Sequence, residues 1–152
     1  MGYDSPMRYP IFAFLLVTGF AGYAADPSPV GIWKTIDDDT HQAKALVEIS
    51  EHDGVLSGRV TKLFRAPTED QNPHCVDCTG ERHKQPVLGM TILWNEHRHG
   101  AEWNGGEILD PETGDVYRCT LQVTDGGAKL QVRGYIGIPL LGRTQVWERE
   151  PR

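Results

Sequence analysis

The sequence predicts an all-β domain, an eight-stranded antiparallel up-and-down barrel. From residue 31 onward, short segments rich in β-branched and aromatic residues alternate between apolar and polar positions, and none keeps a helical period. Turn residues such as Asp53-Gly54 separate these segments and join most of them as hairpins. A two-sheet sandwich is the alternative, but consecutive hairpins favour neighbour pairing, and closure removes exposed edges.

The first three predicted strands cover residues 31–37, 43–51 and 55–64. In the second strand, every other residue is apolar and forms one dry face: Ala43, Ala45, Val47 and Ile49. Asp53-Gly54 supplies the positive φ angles of a tight hairpin. The third strand repeats the alternation, with Leu56, Gly58 and Val60 on one face. These segments therefore predict a three-stranded meander.

The other five predicted strands follow a long loop and cover residues 87–94, 101–109, 115–123, 129–137 and 143–149. The polar run 95–100 predicts a solvated hairpin tip, and Pro111 and Gly114 suit the next turn. The sixth and seventh strands alternate cleanly, with these apolar or small residues on their dry faces: Tyr117, Cys119, Leu121, Val123, Leu130, Val132, Gly134 and Ile136. Eight strands enclose an interior that side chains can fill or that one small ligand can occupy.

The first 24 residues have the pattern of a cleaved signal peptide. Arg8 precedes an apolar run at residues 11–20, and the small residues Gly22 and Ala24 suit cleavage after Ala24. The run is shorter than the roughly 20 residues of a membrane-spanning helix. We therefore expect an exported protein, periplasmic or secreted, with no integral membrane segment after cleavage. Residues 25–30 would form a leader, and residues 31–150 a single domain.

The charge of the chain limits its partners. The formal net charge is −6, and removal of the signal peptide leaves it unchanged because one cation and one anion are lost. An acidic protein of this kind is not expected to bind nucleic acid or an anionic membrane surface.

Two resemblances extend the fold prediction. Gly31-Ile32-Trp33 resembles the Gly-x-Trp signature of lipocalins, in which the Trp closes the barrel floor and a basic residue of the last strand packs across it; Arg143 or Arg149 is expected in that role. A longer series of motifs resembles the bacterial domain-of-unknown-function family 2147. They are Gly31-x-Trp33 with Asp37-Asp38, Cys75-x-x-Cys78 with Gly80, Gly89, Trp103-x-Gly-Gly106, Asp110-Pro-x-x-Gly-x-x-Tyr117, Arg133-Gly-Tyr-x-Gly137 and Leu141-Gly-Arg-Thr-Gln-x-Trp147. This resemblance implies an exported protein with a lipocalin-like (calycin-like) barrel.

The cysteines lie in two contexts. Cys75 and Cys78 lie close together in the Arg65 to Pro86 loop, and in an oxidising compartment a disulfide is the simplest interpretation. A zinc site formed by His74, Cys75, Cys78 and His83 is an alternative, and thiol-redox chemistry is another. Cys119 lies on a dry strand face and is predicted to be a buried apolar residue.

No catalytic constellation is visible. The chain lacks a Gly-x-Ser-x-Gly elbow, and no sequence pattern brings Glu48, Glu102 and Glu107 together. His97 and His99 are assigned to the solvated tip, and Asp37 to Asp39 to a hydrated turn. We therefore predict no enzymatic activity and no cofactor.

The aromatic inventory and two small inward residues, Gly58 and Gly134, suggest a binding cavity. We expect a small hydrophobic or amphipathic ligand in the barrel, and the candidate pocket or floor residues are Trp33, Trp103, Tyr117, Gly134, Arg143 and Trp147. One alternative is an envelope protein-interaction module that uses the Arg65 to Pro86 loop. Another is a metal or thiol-redox protein that uses Cys75 and Cys78. The sequence indicates neither the ligand nor the oligomeric state.

Overall fold

Each strand of the chain pairs antiparallel with its sequence neighbours, and the eighth pairs with the first to close a barrel. The computed structural model describes Met1 and residues 27–151. The strands are β1 Gly31–Ile36, β2 Ala43–His52, β3 Val55–Leu63, β4 Thr91–His99, β5 Glu102–Leu109, β6 Val116–Thr124, β7 Lys129–Tyr135 and β8 Arg143–Arg149. Three short 3₁₀ turns lie at Gly80–Arg82, Asp125–Gly127 and Pro139–Leu141. The predicted fold class is confirmed, and the predicted signal peptide lies outside the described residues apart from Met1.

The two ends of the barrel differ. At one end, which we call the floor, β1 begins, β8 ends and short turns join β2 to β3, β4 to β5 and β6 to β7. At the other end, which we call the mouth, the connections are residues 37–42, 64–90, 110–115 and 136–142. The mouth therefore carries all the longer loops.

The predicted dry faces point into the barrel and form its core, except at Ile136, whose prediction was wrong because β7 ends at Tyr135 and Ile136 is 72% exposed in the following loop. The side chains that are at most 3% exposed include Trp33, Val47, Ile49, Leu56, Val60, Leu93, Leu121, Leu130, Val132 and Trp147. Full burial of one such aliphatic side chain contributes about 1.5–3 kcal/mol. Gly58 does not leave the space that we expected, because a Cβ there would lie 3.1 Å from Leu93 Cβ and 3.2 Å from Val47 Cγ1.

The fourth strand differs most from its prediction. It covers Thr91–His99 rather than residues 87–94, so the polar run is the second half of a strand and the turn lies at Gly100 and Ala101. The predicted hairpin tip was wrong because Asn95 adopts a φ of 59° and interrupts the regular alternation. As a result, Glu96 is buried whereas His97 and His99 are exposed.

The long loop 64–90 packs on the outer wall of β4. The Arg82 guanidinium lies 4.2 Å from the centre of the Trp94 ring, and Ile92 is only 6% exposed. Cys75 and Cys78 form a disulfide within this loop, with their Cα atoms 5.3 Å apart. Among the described residues, no helix has the length and apolar character needed to cross a membrane.

Candidate binding site in the barrel interior

A cation–π stack closes the floor. The Arg149 guanidinium lies 4.1 Å from the centre of the Trp33 ring and donates to the carbonyls of Ser28, Val30 and Gly127 at 2.7, 2.9 and 2.6 Å. Gly31 makes room for it, because a Cβ there would lie 2.7 Å from Arg149 Nη1. The Gly-x-Trp signature therefore has a physical basis in this chain: the glycine admits the arginine that stacks on the tryptophan.

Arg143 lies at the opposite end of the barrel. Its guanidinium pairs with Asp38 at the mouth, so of the two arginines expected to pack across the floor, Arg149 has that role and Arg143 does not. Gln145 Nε2 also donates to Asp38 at 3.1 Å, and Trp147 Nε1 donates to Gln145 Oε1 at 3.3 Å. Polar contacts along β8 therefore connect the mouth with the buried Trp147.

Glu96 is a buried carboxyl inside the barrel. It is 0% exposed, and neither carboxyl oxygen has a partner at hydrogen-bonding geometry among the described residues. The Gly106 amide and the Cys119 thiol lie close enough to favour the ionised form, but neither completes a regular hydrogen bond. Burial outweighs both and raises the pKa of Glu96 from 4.5 to about 8. Glu96 is therefore mostly protonated at neutral pH.

Cys119 is the neighbour of Glu96 on β6. Its thiol is fully buried, and its pKa is raised well above its ordinary value, first by burial and then by the adjacent Glu96. A thiol in this environment is protonated and not nucleophilic. The pair offers hydrogen-bonding groups in an otherwise apolar interior.

One row of the sheet connects this pair with the mouth. Cys119 pairs with Gly134 across β6 and β7, and Gly134 pairs with Arg143 across β7 and β8. Tyr117 is the next inward residue on β6, and a Cβ on Gly134 would lie 3.4 Å from Tyr117 Cβ. The buried carboxyl therefore lies close behind the residues that line the mouth.

The six predicted pocket residues divide into two groups. Tyr117, Gly134 and Arg143 lie together at the mouth, whereas Trp33, Trp103 and Trp147 lie toward the floor: Trp103 pairs with the buried Leu121, and Trp147 pairs with the buried Leu130. The prediction missed Glu96, because a polar run after an apolar segment suggested a solvated turn. The adjacent Gly105-Gly106 in β5 was the available signal, since paired glycines within a strand indicate a bulge.

An apolar loop stands beside the mouth. Between β7 and β8, these large aliphatic side chains are 54–83% exposed: Ile136, Ile138, Leu140 and Leu141. Arg133 holds the loop, because its guanidinium donates to Pro139 O at 2.7 Å and Leu140 O at 3.2 Å. The loop therefore presents its apolar side chains in a defined conformation.

The alternative zinc site at Cys75 and Cys78 is not formed in the structure. Both sulfurs are used in the disulfide, and the two residues are 0% and 3% exposed. His83 Nδ1 lies 3.0 Å from the Cys78 carbonyl oxygen, and the described residues contain no group of three or more His, Cys, Asp or Glu side chains arranged to hold a metal ion. The zinc site built from His74, Cys75, Cys78 and His83 is therefore not formed.

Comparisons with known proteins agree with this architecture. Residues 31–149 match the profile of a family described as uncharacterized proteins conserved in bacteria, DUF2147. Protein HP1028 from Helicobacter pylori, described as a member of the lipocalin family, has a similar structure, with a TM-score of 0.69 over 82% of this chain and 84% of that one. The two sequences are 16% identical, so the similarity shows the fold. No curated protein sequence matches the chain.

Proposed function

We propose a function for this chain, which belongs to the bacterial family DUF2147. It is an exported, noncatalytic binding protein that takes a small amphipathic molecule into its lipocalin-type barrel. The polar end of the ligand would reach Glu96, and its apolar part would extend toward the mouth. The observation that carries this proposal is the buried Glu96 carboxyl, whose two oxygens have no hydrogen-bond partner within residues 27–151.

The free-energy cost of Glu96 supports a role in binding. An unsatisfied buried polar group destabilises a protein by about 1–3 kcal/mol, and a leucine in its place would instead pack with the core. A ligand hydroxyl or amide would donate to one carboxyl oxygen and accept the proton of the other. Binding would thus satisfy a carboxyl that has no hydrogen-bond partner in the part of the chain that the structure describes.

The mouth offers a route to this carboxyl. Buried side chains pack the interior, so a ligand enters by displacing side chains rather than by filling an open cavity. Tyr117 is half-buried at the mouth, and Gly134 beside it has no side chain to hinder its movement. Rotation of Tyr117 would open a path to Glu96 and Cys119.

Export forms part of the proposal. The signal-peptide pattern in the first 24 residues supports it, and the Cys75 to Cys78 disulfide supports it independently, because disulfides persist in oxidising compartments. N-terminal sequencing of protein recovered from the periplasm or medium is expected to begin at Ala25. A chain that starts at Met1 and stays in the cytoplasm would contradict this part.

Binding can be tested with 1-decanol, whose hydroxyl both donates and accepts. Native mass spectrometry and tryptophan fluorescence should show saturable 1:1 binding to the wild type. Glu96→Gln keeps hydrogen-bonding atoms and should bind similarly, whereas Glu96→Leu should bind about tenfold more weakly, corresponding to about 1.4 kcal/mol for one lost hydrogen bond.

The matched control is Glu48→Gln, which changes a half-exposed carboxylate on the outer face of β2. It should leave decanol binding unchanged. Absence of saturable binding to the wild type, or equal affinity of the wild type and Glu96→Leu, would overturn the proposal.

A further inference from the structure

A pocket of about 310 Å³ lies on the outer side of the barrel wall, beside the irregular stretches of β4 and β5 that shift register against β3 and β6. Trp94 pairs with Glu107 and His97 pairs with Asn104, but the residues between these two pairs form no regular cross-strand pair. Gly105 and Asn95 have positive φ angles of 89° and 59°, and a Cβ on Gly106 would collide with the Trp94 carbonyl, so the two strands stay close here. The pocket is lined by Asn95, Gly105, Gly106, Glu107, Arg118 and Tyr135.

Arg118 is the cation of this pocket, and among residues 27–151 it forms no ion pair with its cross-strand neighbour. Glu107 lies directly opposite Arg118, but its carboxylate accepts a hydrogen bond from Trp94 Nε1 at 3.1 Å instead. Arg82 stacks on the Trp94 ring and holds it in place. Within residues 27–151, Arg118 therefore has no ion pair or hydrogen bond, although an acidic residue faces it.

Two neutral donors complete the polar wall. Tyr135 pairs with Arg118 on the β7 side, and its half-buried side chain lines the pocket. Across the described chain, neither the Tyr135 hydroxyl nor the Asn95 amide has a hydrogen-bond partner. Three residues whose donor groups have no partner among residues 27–151 therefore line one concave surface, which is more than an isolated surface arginine provides.

We propose that this outer pocket binds a small molecule through a carboxylate or phosphate group held by Arg118, with Tyr135 and Asn95 as additional donors. The planar guanidinium pairs with such oxyanions through two parallel hydrogen bonds. The volume lies at the lower end of the range for ligand pockets, so the ligand is small. This site is separate from the barrel interior and does not depend on the proposed function.

The Glu107 carboxylate restricts the ligand further. Only Oε2 accepts the Trp94 hydrogen bond, so Oε1 remains available on the wall opposite Arg118. A hydroxyl or ammonium group on the ligand would donate to it, whereas a second anionic group would be repelled. The chemistry therefore favours a hydroxy acid, an amino acid or a phosphate monoester with a nearby donor.

The test is a titration of ¹⁵N-labelled full-length mature protein with sodium glycolate, sodium phosphate and glycine at constant ionic strength. The amide signals of Gly105 and Gly106 should shift saturably with at least one of these probes. Saturation by glycolate or glycine identifies a carboxylate site, and saturation by phosphate alone identifies a phosphate site. Linear, nonsaturating shifts with all three probes would overturn the proposal.

The variants separate a specific site from general ion binding. Arg118→Gln should weaken the saturable probe by about tenfold or more, and Tyr135→Phe by a smaller factor. The matched control is Arg59→Gln, which removes an exposed outer-wall arginine on β3 whose own carboxylate neighbour, Glu48, lies 3.9 Å away, and it should leave the titration unchanged. Equal binding by the wild type and a folded Arg118→Gln would contradict the assignment.

Discussion

Replacement of Glu96 by glutamine should change how stability depends on pH. The pKa of this carboxyl is raised from 4.5 to about 8 in the folded protein, because burial disfavours the charged form. Between these two pH values the folded state keeps a proton that the unfolded state has released. The free energy of unfolding should therefore fall as pH rises through this window.

The size of the effect follows from the two pKa values. Each unit of difference between the two pKa values corresponds to about 1.4 kcal/mol of unfolding free energy. The loss of unfolding free energy across the whole window is therefore at most roughly 5 kcal/mol. Between pH 5 and pH 8 the wild type should lose about 3 kcal/mol from this group. Glu96→Gln carries no titrating proton and should lose none of this amount, so it should be the more stable protein at pH 8.

Urea unfolding at pH 5, 6, 7 and 8, followed by tryptophan fluorescence, measures this directly. Glu48→Gln is the control, because that carboxylate is half-exposed on the outer wall and its loss should leave the wild-type pH dependence intact. If the wild type and Glu96→Gln change in parallel, within about 0.5 kcal/mol, then Glu96 is not a neutral buried carboxyl in the folded state.

Three further variants test other parts of the structure. Gly31→Ala would place a methyl group 2.7 Å from Arg149 Nη1 at a φ of 142°, and should destabilise the protein by about 1–3 kcal/mol in urea unfolding; an unchanged midpoint would argue against the stacked floor. Replacing both Cys75 and Cys78 by serine should lower stability by about 2 kcal/mol, which thermal unfolding with and without reductant checks; equal melting temperatures would show that the bridge does not form. Arg133→Gln should accelerate amide exchange in the β7–β8 loop without unfolding the barrel, and unaltered exchange would mean that its carbonyl contacts do not hold the loop.

The strands were predictable wherever the alternation was regular. β8 was placed at residues 143–149, as found, and β6 and β7 differ from their predictions only at their ends. β4 was misplaced because a bulge at Asn95 shifts the alternation of inward and outward side chains. The sequence of one strand does not show where such an extra residue is inserted. The same bulge turns Glu96 inward, so the strand error and the missed site have one physical cause.

The floor could be predicted only in part. Arg143 and Arg149 both face the same side of β8, so alternation cannot distinguish them. The choice depends on the long-range pairing of β8 with β1, in which Arg149 is the partner of Trp33. Pairing between strands so distant in sequence has no local signal. Closure of the barrel determines which residue of β8 lies beside Trp33.

Intermolecular NOEs between 1-decanol and the isotope-labelled protein test the central claim most directly. The proposal predicts NOEs from the ligand to Tyr117 and Cys119, with the hydroxyl end nearest to Glu96, and loss of these NOEs in Glu96→Leu. NOEs confined to the exposed aliphatic residues of the β7–β8 loop would place the ligand outside the barrel and contradict a binding site at the buried carboxyl.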